Sequence, residues 1–279
     1  MTAVIELRGV DVVRRGRKLL DDIRLDFRSG KVTGIIGPNG AGKSTLLRVM
    51  AGEIRPEGGT VELDGQDLQS HRAGRLAARR AVVPQATALA FPFTAIEVVE
   101  LGGTVPGFGI TDQRVQIIAM AALDVVGMRP LAGRFFTELS GGERQRVQFA
   151  RALCQLDCAS WARGKEHAPV LLLDEPTASL DLAHQLAVLD EAQRRARAGA
   201  VVVTVLHDLN LAARYADEVI LLSRGKVASR GAPADTFDDA VLAEAFDVQT
   251  RVNMAPVDGT PFLLPQTLSL RDHRSSHDD

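Results

Sequence analysis

Aromatic residues are rare in this chain: one Trp, one Tyr and ten Phe, 4% of the total. That is a poor basis for the stacked ring platforms that hold single-stranded nucleic acid. The charge is nearly balanced at −2, so the basic footprint of a nucleic-acid partner is missing too. Cysteine is scarce. Cys154 and Cys158 have i, i+4 spacing on an expected helix, but a structural zinc asks for about four ligands, so packed free thiols are expected. No apolar run approaches the ~20 residues that cross a bilayer. Met1 to Val10 lacks the basic-then-apolar order of a signal peptide. These absences lead to the expectation of a cytoplasmic protein that meets a membrane only through partners. Internal repeats and sustained heptads are lacking as well.

What remains is an ordinary globular composition, 46% hydrophobic and 24% charged over 279 residues, enough for a substantial core. Alternation in Val4 to Arg8 and in Ile23 to Phe27 predicts half-buried antiparallel strands, and Thr60 to Gly65 predicts another. Lys31 to Ile36 is an apolar strand running into glycines. Ala81 to Val83, Val170 to Leu173 and Val201 to Leu206 are runs of the buried, parallel kind. Each ends at a polar residue: Gln85, Asp174 and His207. Ligands of open α/β sheets bind beyond such strand ends. The stretch from about 86 to 165 reads instead as a mostly helical lobe. One helix is expected from Gln113 to Val126, with Val115, Ile118, Ala122 and Val125 on its buried face. A second is expected from Ser140 through Leu156, then a polar loop from Asp157 to Ala168. A tail, 271–279, is expected to be disordered.

Gly37-Pro38-Asn39-Gly40-Ala41-Gly42-Lys43-Ser44, followed by Thr45, fits the P-loop pattern in full, with a strand before it and a helix after it. Its glycines let successive amides face a phosphate, and the helix adds the positive end of its dipole. Lys43 is the expected partner of the β- and γ-phosphates and Ser44 of Mg²⁺. Val170 to Glu175 is the matching acidic strand end: Asp174 for the Mg²⁺, Glu175 to orient and deprotonate a water. In Leu139-Ser140-Gly141-Gly142-Glu143, Ser140 and Glu143 form a capping box. Two glycines directly after a cap weaken a helix, yet they suit close approach of backbone to a ligand. The bare amides there suit a second phosphate, that of an ATP held by another copy of the chain.

Taken together, these three motifs resemble the signature set of the ABC-type ATPases, over about Ile5 to Phe246. The resemblance implies a P-loop α/β core with an N-terminal antiparallel β subdomain and an inserted helical subdomain. One ATPase domain over 1–270 would hold the lobe of about 86–165. It implies ATP and Mg²⁺ as ligands. It also implies a head-to-tail dimer in which each ATP lies between one P-loop and the partner's signature helix. By position, Gln85 matches the glutamine that senses Mg²⁺. Ser179-Leu180-Asp181 matches the segment signalling between the two sites, and His207 matches the histidine at the γ-phosphate. Where relatives place an aromatic on adenine, this chain has Val13 or Arg14, and an Arg14 plane can stack on a base.

The segments Asp174 to Gln185 and Leu206 to Asp217 resemble the iron-siderophore, cobalamin and haemin importers, with the haemin branch nearest. The residues after Gly102 lack the arginine-containing form expected of the siderophore group. The implied partners are a transmembrane permease dimer and, indirectly, a periplasmic substrate-binding protein, at the cytoplasmic face of a bacterial inner membrane. Phe91 to Val99 is a candidate groove for a permease helix or plain core packing. A soluble ABC-type ATPase of ribosomes or DNA repair usually carries paired ATPase halves or long coiled coils, and this chain has one P-loop and one signature.

Overall fold

A computed structural model of the chain describes residues 3–85, 92–105, 108–163, 167–256 and 258–270. The first part contains β1 (Ala3–Arg14), β2 (Arg17–Arg28), β3 (Lys31–Ile36), α1 (Lys43–Met50), β4 (Gly58–Leu63), β5 (Gln66–Asp67), α2 (Ala73–Ala77) and β6 (Arg80–Val83). Helices α3 (Ala95–Glu100), α4 (Asp112–Val125) and α5 (Gly141–Arg163) come next. Strands and helices then alternate through β7 (Val170–Asp174), α6 (Leu182–Arg197), β8 (Val201–Val205) and α7 (Leu209–Tyr215). The hairpin β9 (Glu218–Ser223) and β10 (Lys226–Gly231) precedes α8 (Pro233–Thr236) and α9 (Asp239–Phe246).

Two sheets form. One is antiparallel, in the order β2-β1-β4-β5. The other is six-stranded, in the order β10-β9-β3-β8-β7-β6, with every pair parallel except β10 with β9. Strands β7 and β8 are buried at every residue, because both faces of the sheet are covered. Leu171 and Leu173 face the core shared with α3, α4 and α5, while Val170 and Leu172 face the core shared with α1 and the antiparallel sheet. A run of apolar residues with no polar alternation is the sequence such a strand needs. The chain leaves β3, builds β6, β7 and β8 on one side, and returns as β9 on the other. The strand order therefore reverses at β3, and the loop after β3 sits where α/β sheets place their ligands.

The helices differ from expectation in two places. In α4 the buried residues are Val115, Ala119, Ala122 and Leu123, whereas Val125 is exposed. The true face is rotated toward Ala119 and Leu123, which pack against α5, and small alanines allow that close approach. Helix α5 continues past Leu156 to Arg163, where a loop from Asp157 was expected. Its apolar face persists in Leu156, Cys158 and Ala159, all buried. Asp157 is not a loop residue but the partner of Arg195 on α6, which donates to it at 3.0 Å. A single carboxylate paired across two helices reads, in sequence, as the start of a polar loop.

Cys154 and Cys158 are buried free thiols, with their sulfurs 3.9 Å apart. Of the Phe91 to Val99 segment, Ala95, Val98 and Val99 belong to the core and Phe93 and Ile96 pack against it; Phe91 lies outside the described residues. So do 271–279 and the whole of 86–91. Thr94 opens α3 with a capping box, its backbone N–H donating to Glu97 at 2.7 Å. No helix among the described residues is long and apolar enough to cross a membrane.

Candidate active site

The loop after β3 is shaped by backbone approach. Gly37 and Gly42 have φ of 144° and 105°, in the region that side chains rarely adopt. A Cβ on Gly37 would lie 2.1 Å from the Leu222 carbonyl oxygen, and one on Gly42 would lie 2.6 Å from that of Leu19. Only glycine fits at either place. Pro38, Asn39, Gly40 and Ala41 complete the loop, and α1 begins at Lys43 with no side-chain cap on its first turn. The amides of Lys43, Ser44 and Thr45 are thus left for an anion. Lys43 is buried; its Nζ donates to the carbonyls of Gly37 at 2.8 Å and Pro38 at 2.9 Å. An ammonium has three donors, so one remains for a phosphate oxygen. Burial lowers its pKa, opposed by the charges of Glu175 and Asp174.

At the end of β7, Asp174 is 2% exposed and accepts a hydrogen bond from the Ser44 hydroxyl at 3.0 Å. Burial, reinforced by the neighbouring Glu175 charge, pushes its carboxyl above the usual Asp range. A hydroxyl and a buried carboxylate at this separation are the hard oxygens Mg²⁺ takes. No cluster of three or more His, Cys, Asp or Glu among the described residues could hold a metal alone.

Three strand ends converge on Glu175. The Gln85 side-chain amide, beyond β6, donates to Glu175 Oε2 at 2.7 Å. His207 Nε2, beyond β8, lies 2.5 Å from Glu175 Oε1. Glu175 itself has φ of 53°, a conformation that costs a non-glycine residue about 1–3 kcal/mol. The turn it makes holds its carboxylate between the two neighbouring strands instead of along β7. An acid, an amide and an imidazole in one chain of contacts can orient a water and accept its proton.

Ser140 and the glycines form a second group. Ser140 N–H donates to Glu143 Oε2 at 2.7 Å, and Glu143 N–H donates to Ser140 Oγ at 3.3 Å. The first of these bonds holds the Glu143 carboxyl below its usual range. A Cβ on Gly142 would lie 2.8 Å from the Ser179 carbonyl oxygen, so the absent side chain lets the loop of Ser179 to Asp181 close on α5. Asp181 caps α6, accepting from the His184 N–H at 2.9 Å. Between these segments lies a cleft of about 430 Å³, lined by Ser140, Gly141, Glu143, Arg146, Asp181 and His184 among others. Arg146 and His184 were not singled out in the sequence. Their only signal is spacing, His184 three residues after a helix cap. No hydrogen bond or ion pair among the described residues joins Ser140 to Glu143, or Asp181, to the Lys43–Glu175 group. Arg14 stands apart from both: its guanidinium is paired with Glu57 and donates to the Val13 carbonyl at 2.9 Å.

Comparison with known proteins places this geometry. The family model described as ABC transporter matches residues 20–178, more than half of the chain. The "Hemin import ATP-binding protein HmuV" of Agrobacterium fabrum is 45% identical over 264 residues, covering 95% of this chain and 99% of that protein. The protein of the same name from Rhodopseudomonas palustris is 46% identical over 267 residues, covering 95% and 96%. Among solved structures, an inward-facing metal-chelate type ABC transporter is similar with a TM-score of 0.71 at 26% identity, over 89% of this chain and 90% of that one. A dimeric bacterial ABC transporter cassette matches with a TM-score of 0.72 at 26% identity, over 82% and 98%. By the family model and the near full-length relatives, the chain belongs to the ABC transporter family as an ATP-binding, ATP-hydrolysing subunit.

Proposed function

We propose that this subunit energises haemin import, as one of two copies bound to a transmembrane permease at the cytoplasmic face of a bacterial inner membrane. A periplasmic binding protein would deliver the cargo. Supporting haemin is the name carried by full-length relatives, and the observation carrying hydrolysis is the Gln85–Glu175–His207 contact chain. One ATPase domain over 1–270, with the helical lobe of about 86–165 set into it, serves this role.

The loop amides and Lys43 bind the phosphates of ATP. Ser44 and Asp174, with Gln85 beside them, would hold Mg²⁺, which when bound neutralises charge on the β- and γ-phosphate oxygens. Glu175 orients a water and takes its proton as the water oxygen bonds to the terminal phosphorus. The bond from that phosphorus to the bridging oxygen breaks, releasing ADP and phosphate. His207 donates from Nε2 and keeps Glu175 in place. Ser140 and the amides of Gly141 and Gly142 close over the terminal phosphate held by a second copy, with Glu143 bracing the cap. Asp181 reports from one site to the other. Arg14 stacks on adenine through the face of its guanidinium, which pairing with Glu57 leaves open.

The test is reconstitution with the permease. ATP-driven haemin uptake, lost in Lys43→Ala together with ATPase activity, is expected. Uptake of a ferric siderophore or cobalamin in place of haemin would reassign the cargo. The metal-chelate neighbour keeps that second reading in view.

A further inference from the structure

Strand β6 is the edge of the six-stranded sheet. In an edge strand, every second carbonyl points away from the neighbouring strand and needs another partner. On β6 these are Arg80 and Val82, and both are taken by one face of α5. Arg151 Nη2 donates to the Val82 carbonyl at 3.1 Å, and Gln155 Nε2 donates to those of Arg80 at 2.9 Å and Ala77 at 2.7 Å. Arg151 Nε is held in turn by Gln148 Oε1 at 2.8 Å. Two residues at i and i+4 on a helix thus replace a missing strand.

The arginine is an expensive choice for that job. Among the described residues no carboxylate lies within ion-pair distance of Arg151, and burial lowers its pKa. A neutral side chain would cover one carbonyl without desolvating a charge. What the guanidinium adds is a planar, stiff fork fixed at both ends. The elements it joins matter. Three residues beyond Val82 is Gln85, whose amide holds Glu175. The helix that carries Arg151 begins at Gly141, directly after the Ser140 cap, ~15 Å away along a rigid axis. Gly102, next to α3, packs at the same point, where a Cβ would lie 2.4 Å from the Arg151 carbonyl oxygen and 2.9 Å from Gln155 N.

We infer that Arg151 and Gln155 are positioning residues that lock α5 to β6, so that the Ser140 helix and Gln85 move as one unit and Gln85 is held at Glu175. This deepens the proposed ATPase role and rests on it. The edge carbonyls of β6 serve as the attachment through which a shift of the Ser140 helix becomes a shift of Gln85.

Steady-state ATPase kinetics of the full chain test this with Arg151→Met, Gln155→Met and the conservative Arg151→Lys, each also combined with Gln85→Ala. In the two Met variants kcat is expected to fall about tenfold, the scale of a small misplacement of a catalytic group, with KM for ATP within about twofold of wild type. Arg151→Lys keeps the charge but not the planar fork and should recover only part of the rate. In the Gln85→Ala background the Met substitutions should cost almost nothing more, because their effect runs through Gln85. Losses that multiply in the double variants would overturn the inference, as would an unchanged kcat in the folded variants. If Arg151→Met does not fold, Gln155→Met and Arg151→Lys carry the same comparison. Absence of ATPase activity in the wild-type chain would instead refute the proposed function itself.

Discussion

Asp174, the proposed Mg²⁺ ligand, works against the fold that holds it. Its carboxyl is buried and its pKa is raised by that burial. A raised folded pKa means the proton is held more tightly in the folded chain than in the unfolded one. The resulting stabilisation is present below the ordinary Asp range, about 3.9, and is lost as pH rises through the folded value. At neutral pH the ionised group is therefore a burden. Asp174→Asn keeps an acceptor for Ser44 and removes the charge. Its melting temperature, measured without nucleotide at pH 8, should exceed wild type by ~2 °C or more, each 1 kcal/mol being worth roughly 2–4 °C at this size. The gain should shrink toward pH 4, and ATPase activity should be lost. An equal melting temperature at both pH values would show that burial of Asp174 costs the fold nothing. Glu175 makes the same point in backbone terms: its left-handed φ is unfavourable locally, and its value lies in where the carboxylate is aimed.

Among the elements, α5 does the most. Its first turn presents Ser140 and the glycines, its middle covers the edge of β6, and its last turns pair Asp157 with Arg195. Such use requires tight packing, and Gly102 meets the helix backbone at Arg151 and Gln155. Gly102→Ala should therefore destabilise the chain by about 1–3 kcal/mol, the usual cost of overpacking, and lower the melting temperature by several degrees. Gly133→Ala is the control: nothing lies within 4 Å of the added Cβ, so no loss is expected. Circular dichroism on heating decides between them. Two variants melting together would mean that the α3–α5 contact is looser than the structure shows.

At the scale of the whole molecule, the two functional groups are complete in chemistry but separate in space. Ser44 bonds Asp174, Gln85 and His207 meet on Glu175, and Lys43 feels the charge of both acids, while Ser140 to Glu143 with Asp181 line another cleft. A second copy supplies the meeting of the two in the proposed function, and the dimeric cassette among the structural neighbours is similar in fold. Glu175→Gln should bind ATP without splitting it and so accumulate as a dimer. Size-exclusion chromatography with ATP and Mg²⁺ is expected to show a shift to twice the monomer mass, absent with ADP. A monomer at all ATP concentrations, alongside lost hydrolysis, would place Ser140 outside the reaction.

The P-loop, the buried strands and the acidic end of β7 were legible in the sequence because their requirements are local. Glycine is needed wherever φ is positive against a neighbouring carbonyl, and unbroken apolar runs are needed wherever a strand is covered on both faces. The capping box at Ser140 was legible for the same reason. The length of α5 was not, since Asp157 looks like a loop residue until Arg195 of α6 is set beside it. The face of α4 depended on how closely alanines let it approach α5. Only the tertiary structure showed that Gln85 and His207, 122 residues apart, touch opposite oxygens of Glu175. It alone revealed Arg151 and Gln155 at the sheet edge, because a sheet's unpaired carbonyls exist only once the strands are ordered.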